Sequence, residues 1–167
     1  PYKGVDDAIR ALALPGGGRW RLVVVGGDDP SAPGERARLQ RMAAELHLRE
    51  RVRFLSPVQG VSHWPDAFDA LAVLTKGDGR VSGEGFGTSA FEAMLAGVPV
   101  IAVTGGAVVR RLEGRAGIGV PAGDAGAVAD ALAVYASLDA RRQAGRAGQA
   151  LVHDHPGGAA CADLLVG

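Results

Sequence analysis

Short apolar runs alternate with amphipathic stretches along this chain, and that alternation predicts its elements. Val5, Ile9, Leu12 and Ala13 recur at helical spacing, predicting a helix over Asp6 to Leu14 that Pro15-Gly16-Gly17-Gly18 ends. Leu22-Val23-Val24-Val25 is a continuous apolar run, the pattern of a strand buried on both faces. Gly26-Gly27-Asp28-Asp29-Pro30 makes a tight turn after it. Gly34 to Leu48 is again helical, with Leu39, Met42, Ala43 and Leu46 on one side. Val52 to Leu55 reads as a short strand and Pro57 to Val61 as a loop.

The second half repeats the alternation. A short helix is predicted over Trp64 to Phe68, a strand over Ala70 to Leu74, and a polar, glycine-rich loop over Lys76 to Gly83. A helix over Phe86–Ala96 and a strand over Val98–Val103 follow, then a turn at Gly105-Gly106 and a short strand at Ile118-Gly119-Val120. Asp124 is placed to N-cap a helix over Gly126–Leu138. Further helices are predicted over Ala140–Val152 and Gly157–Val166. Strands alternating with helices imply βαβ units, so the fold class is α/β: a doubly wound parallel sheet with helices on both faces. Such sheets bind ligands beyond the strand carboxyl ends. The loops after Val25, Leu55, Leu74 and Val103 should therefore share one rim with the turn at Glu84.

Composition narrows the function. The 167 residues suit one domain with a sizeable core, and 47% hydrophobic against 22% charged is a globular balance. Lys+Arg 18 against Asp+Glu 18 gives no basic or acidic surface for nucleic acid or anionic membrane. No apolar run approaches the roughly 20 residues of a membrane span. Pro1-Tyr2-Lys3-Gly4-Val5 is not a signal peptide, and a lone Cys161 allows no internal disulfide. These features point to a cytoplasmic location, or one peripheral to the membrane in a longer protein.

The stretch Glu84-Gly85-Phe86-Gly87-Thr88-Ser89-Ala90-Phe91-Glu92 carries the most chemistry. Two carboxylates eight positions apart frame a glycine-rich turn and a helix start. Unpaired N–H groups at a helix start bind anions, and carboxylates bind hydroxyls. Amides for phosphate beside carboxylates for hydroxyls is the inventory that holds a nucleotide sugar. Other polar residues have plainer readings. Asp28-Asp29 reads as a solvated turn, His153 and His155 lack a third ligand at helical spacing, Trp64 beside His63 reads as core, and Cys161 as a buried small residue.

In order, the chain carries Lys3-Gly4-Val5-Asp6, Leu22 to Gly26, Val52-Arg53-Phe54-Leu55-Ser56-Pro57-Val58 and Asp69 to Leu74. Glu84-Gly85-Phe86-Gly87 with Glu92 comes next, then Ala93-Met94-Leu95-Ala96-Gly97-Val98-Pro99-Val100-Ile101-Ala102 and Val120-Pro121-Ala122-Gly123-Asp124. Over residues 1 to 138 this resembles the carboxyl-terminal, donor-binding domain of group 1, family 4 retaining glycosyltransferases of the two-domain GT-B fold, a Rossmann-like half. The resemblance implies that Glu92 holds the ribose hydroxyls and that Glu84 lies beside the donor sugar as a catalytic residue. It places the amides of Phe86 and Gly87 on the sugar, with Gly85 and Gly87 small enough for close approach. Thr88 and Ser89 would face the diphosphate, and Lys3 would neutralise it as it leaves, without a metal or other cofactor. Gly26, Gly27 and Val58 would flank phosphate and base, and Gly105 and Gly106 would pass close to the donor.

The chain departs from that pattern in places. Thr75-Lys76 stands where the family has Pro-Ser, the loop Gly77 to Gly83 is longer, and Ala107-Val108-Val109 follows the glycine pair instead of Pro-Glu. The family's arginine on a first strand, and the amino-terminal acceptor domain, would precede residue 1. The chain thus reads as one donor-binding domain over 1–167 of a longer protein. Its partners would be a nucleotide sugar and the missing domain, with apolar surface open to dimerisation. The rival readings are a sugar-nucleotide epimerase of the same fold and a non-catalytic nucleotide- or partner-binding module. A dinucleotide oxidoreductase ranks below both, because no Gly-x-Gly-x-x-Gly follows the Leu22 strand.

Overall fold

Ile9 and Leu12, one turn apart, are both buried and aim the first helix inward. That helix, α1 (Val5–Ala13), starts at Gly4 in the left-handed region, with Asp6 and Asp7 in its first turn. A 3-10 turn, Pro15–Gly17, leads from it to strand β1 (Leu22–Val25). In a computed structural model, the described residues are 3–28, 30, 32–58, 67–76, 88–105, 112 and 114–154. They continue as α2 (Glu35–Glu45), β2 (Val52–Leu55), β3 (Leu71–Val73), α3 (Thr88–Leu95), β4 (Val100–Val103), β5 (Gly117–Val120), α4 (Ala125–Val134) and α5 (Leu138–Asp154). The predicted helices over Trp64–Phe68 and Gly157–Val166 fall wholly or mainly outside the described residues.

Among the described residues all strand pairings are parallel. β1 pairs with β2, Leu22 opposite Val52, while β3, β4 and β5 form a second sheet in that order. Alternation along β4 sends Ile101 to one face and Val100 and Ala102 to the other. On the first face Ile101, Leu74, Val120 and Val52 share one core with Ile9 and Leu12 of α1, Leu39 and Ala43 of α2, and Val128 and Leu132 of α4. On the second face Val73, Val100 and Ala102 pack with Phe91 and Met94 of α3 and Val152 of α5. Helices therefore cover both faces, as the α/β pattern predicts.

Three expectations change. β1 is not buried on both faces: Val23 is 37% exposed, because the α3–α5 layer covers only the β3–β5 sheet. Leu46 is exposed rather than inward, since α2 stops at Glu45 and the chain turns through His47, at φ 57, before Leu48 is buried. The helix expected to reach Leu138 stops at Val134. Arg141 Nη1 donates to the carbonyls of Tyr135 (2.6 Å) and Ala136 (3.4 Å), and Ser137 Oγ accepts from Ala140 N, which starts α5. The Asp124 cap is as expected, its Oδ1 accepting from Ala127 N at 2.9 Å.

α5 crosses the end of α3 with backbone nearly against backbone. A Cβ at Gly145 would overlap the carbonyl of Gly97, and one at Gly148 would press on Met94. Gly145→Ala is expected to destabilise the domain by about 1–3 kcal/mol. Urea unfolding would show this as a lower midpoint at unchanged slope.

Candidate functional site at the strand carboxyl ends

α3 hands over through Gly97 and Pro99 to the amino end of β4, with Leu71 N of β3 donating to the Pro99 carbonyl at 3.0 Å. Its 8 residues cover about 12 Å, close to the length of β4, so its amino end stands level with the strand carboxyl ends. Thr88 and Ser89 lie there, both exposed. Glu92, one turn further on, is half-buried between the buried Phe91 and Ala93. Gly105 follows β4 at the same level, at φ 85, after Thr104 N donates to the Val120 carbonyl. Glu84, Gly85, Phe86, Gly87 and Gly106 lie outside the described residues.

The carboxyl ends of β1 and β2 are joined by a residue that sequence reading missed. The Arg36 guanidinium donates to the carbonyls of Phe54 (2.8 Å), Gly26 (3.3 Å) and Leu55 (3.4 Å), and lies 5.7 Å over the Phe54 ring. Gly26 N donates to the Leu55 carbonyl, and Gly27 faces Pro57. Gly26, Gly27 and Val58 therefore share one rim. The space beside Gly26 is open, with no atom within 4 Å of a notional Cβ. Asp28, read as a solvated turn residue, is exposed, and its Oδ1 accepts from Arg36 N in the first turn of α2 at 3.1 Å. Among the described residues no three His, Cys, Asp or Glu side chains converge as a metal set.

Lys3 is exposed immediately before Gly4, which is packed on the end of β3 so closely that a Cβ would overlap the Leu74 carbonyl. Beneath it sit two nearly buried acids, Asp6 at 5% and Asp7 at 2% exposure. Lys76, just past β3, places Nζ 3.1 Å from both Asp6 carboxylate oxygens and 2.8 Å from Asp7 Oδ2. Arg10 approaches from the solvent side, 3.2 Å from Asp6 and 3.1 Å from Asp7. Burial pushes the Asp6 carboxyl up, but the Lys76 hydrogen bond and the charges of Lys76 and Arg10 outweigh it and hold the group below its ordinary 3.8. Burial likewise opposes charge on Lys76, yet both acids hold it above 10.5. The only sequence hint of this cluster was a lysine standing directly after a strand, at the rim where ligands bind.

A parallel α/β domain that gathers glycines, a helix amino end and charged side chains beyond its strand carboxyl ends belongs to the doubly wound, ligand-binding class. The family described as Glycosyl transferases group 1 matches residues 1–137, and the chain belongs to it. The D-inositol 3-phosphate glycosyltransferase of Streptomyces scabiei (strain 87.22) is 36% identical over 160 residues, 90% of this chain and 35% of that protein. The chain therefore spans about a third of that relative. Anabaena HepE, solved with UDP, has the same fold, with TM-score 0.84 at 23% identity over 99% of this chain and 44% of that one. The C-terminal domain of a group 1 glycosyl transferase from Francisella tularensis gives TM-score 0.77 at 24% identity, over 91% of this chain and 78% of that one. No described helix is long and apolar enough to cross a membrane.

A folded-state pKa below the unfolded value adds stability that is present above the unfolded value and disappears as pH falls through the folded one. Asp6 should therefore give an acid-side loss of stability that sets in below about pH 3.8. The Lys76 contribution is fully present below pH 10.5 and should be lost above it. Denaturation midpoints across pH would check both limbs, and Lys76→Met should flatten both.

Proposed function

We propose that this domain binds a nucleotide-diphosphate sugar and, with an amino-terminal acceptor domain, transfers the sugar to a hydroxyl with retention of configuration. The observation that carries this reading is the rim itself: α3 opens beside the β4 end with Thr88 and Ser89 exposed and Glu92 one turn below. Thr88, Ser89 and the α3 amides bind the diphosphate, and Glu92 takes the ribose hydroxyls in a charge-assisted pair. Lys3 neutralises the leaving diphosphate, and Glu84 orients the donor sugar. Gly26, Gly27 and Val58 flank phosphate and base, and Gly105 lets the donor pass close to the β4 end. The reading also assigns the amides of Phe86 and Gly87 to the sugar, with Gly85 small enough for close approach and Gly106 joining Gly105 as a glycine close to the donor. The reading assigns charge neutralisation to these groups rather than to a metal. UDP is its first candidate nucleotide, since Anabaena HepE was solved with UDP and with UDP-glucose.

The same reading includes a strand ahead of Lys3. α1 starts against the carboxyl end of β3 and leads through the 3-10 turn to β1, so β1 runs in the same sense as β3. Among the described residues β1 pairs only with β2, and β3 only with β4. A parallel strand entering α1 through Lys3-Gly4 would make a right-handed crossover to β1 and join the two sheets.

Calorimetric titration with UDP, GDP and ADP tests the donor reading. One nucleotide is expected to bind selectively, and Glu92→Ala should weaken it by about 1–3 kcal/mol, the cost of unpairing hydroxyls from a carboxylate. Unchanged affinity in that variant would remove Glu92 from the site.

A further inference from the structure

We propose that Lys76, clasped between Asp6 and Asp7, is a positioning residue that fixes where Lys3 stands at the rim. The inference rests on the donor-binding reading and adds to it a part that the resemblance does not supply, since the family has Pro-Ser where this chain has Thr75-Lys76.

Lys3 directly precedes the first turn of α1, and two contacts hold that turn. Gly4 lies on the Leu74 carbonyl with no room for a side chain. Two and three residues further on, Asp6 and Asp7 are pinned to Lys76 across the same junction, at 3.1 and 2.8 Å. The backbone contact sets the distance between α1 and β3, and the charge contact sets the rotation of α1 about it. Neither acid can turn outward cheaply, because each is nearly buried and charged.

The obvious rival is that Lys76 binds phosphate directly. Charge arithmetic opposes it: among the described ion pairs Asp6 and Asp7 against Lys76 and Arg10 sum to zero, so these pairs leave Lys76 no positive charge to spare. Asp7 Oδ2 is buried without an aligned hydrogen bond, and Lys76 is the cation beside it. Lys76 moving to a ligand would strand that oxygen in the core, whereas Lys3 is exposed. A misplacement near 1 Å of a group that must meet a phosphate is costly, which makes a stiff seat useful.

The test compares UDP with UMP on the intact protein, because a lysine set against the leaving diphosphate matters most to the second phosphate. Lys76→Met is expected to weaken UDP about tenfold, the scale of one charge-assisted contact, and UMP less than about twofold. Lys76→Arg should restore most of the loss. Lys3→Met should reproduce it, and adding Lys76→Met to Lys3→Met should cost little more, since both act on one contact. Lys76→Met alone leaves an uncompensated acid, so the pair Asp7→Asn with Lys76→Met, which removes both charges, provides a variant expected to fold and to show the same UDP-selective loss. An unchanged UDP-to-UMP ratio in either variant, or an equal fall for both ligands, overturns the clasp. Wild-type protein binding neither nucleotide overturns the donor reading, and the clasp with it.

Discussion

The two sheets meet through side chains, with no described backbone ladder between them, and α1 is the seam. Its Ile9 and Leu12 share one core with Val52 of the first sheet and with Ile101 and Val120 of the second. Each such side chain contributes about 1.5–3 kcal/mol when fully buried. The relative placement of the β1–β2 rim and the β3–β5 rim, and hence of any site spanning them, rests on this helix together with α2 and α4, which share its core. Its amino end is also where the buried acids sit, so the apolar seam and the charged clasp constrain the same nine residues.

Placing two acids there suits the physics of a helix start. Unpaired N–H groups in the first turn favour negative charge, and Lys76 and Arg10 both pair with the carboxylates. At the other rim Arg36 plays a complementary part, its guanidinium donating to the carbonyls of Gly26, Phe54 and Leu55 where β1 and β2 end. Both rims are thus closed by cations drawn from helices or from the residue just past a strand.

Much of this was legible in the sequence because it rests on local pattern. The run Leu22–Val25, the heptad-like spacing of α1 and the Asp124 cap need only neighbours in the chain, and all three elements stand where expected. The exposure of Val23 was not legible, since it depends on which helices lie over which sheet. The end of α4 depends on Arg141, which caps it from the next helix. The Lys76–Asp6 contact joins residues 70 apart, and no periodicity reports a pair at that distance. Within the candidate site, the rim could be foreseen from the parallel-sheet rule, and Thr88, Ser89, Gly26 and Gly27 lie on it. The charge balance around Lys76 could not, because a solvated lysine and an ion-paired one read alike.

β1 and β3 each have a side with no described strand partner, and they handle it by brevity. A long, flat, apolar edge invites another chain to add a strand. β1 offers four residues and β3 three, so an intruding strand would find only two or so outward amides on either. Leu22 to Val25 carries no charge to repel such a visitor. Short length limits edge-to-edge pairing on these sides for as long as the proposed strand ahead of Lys3 does not fill them.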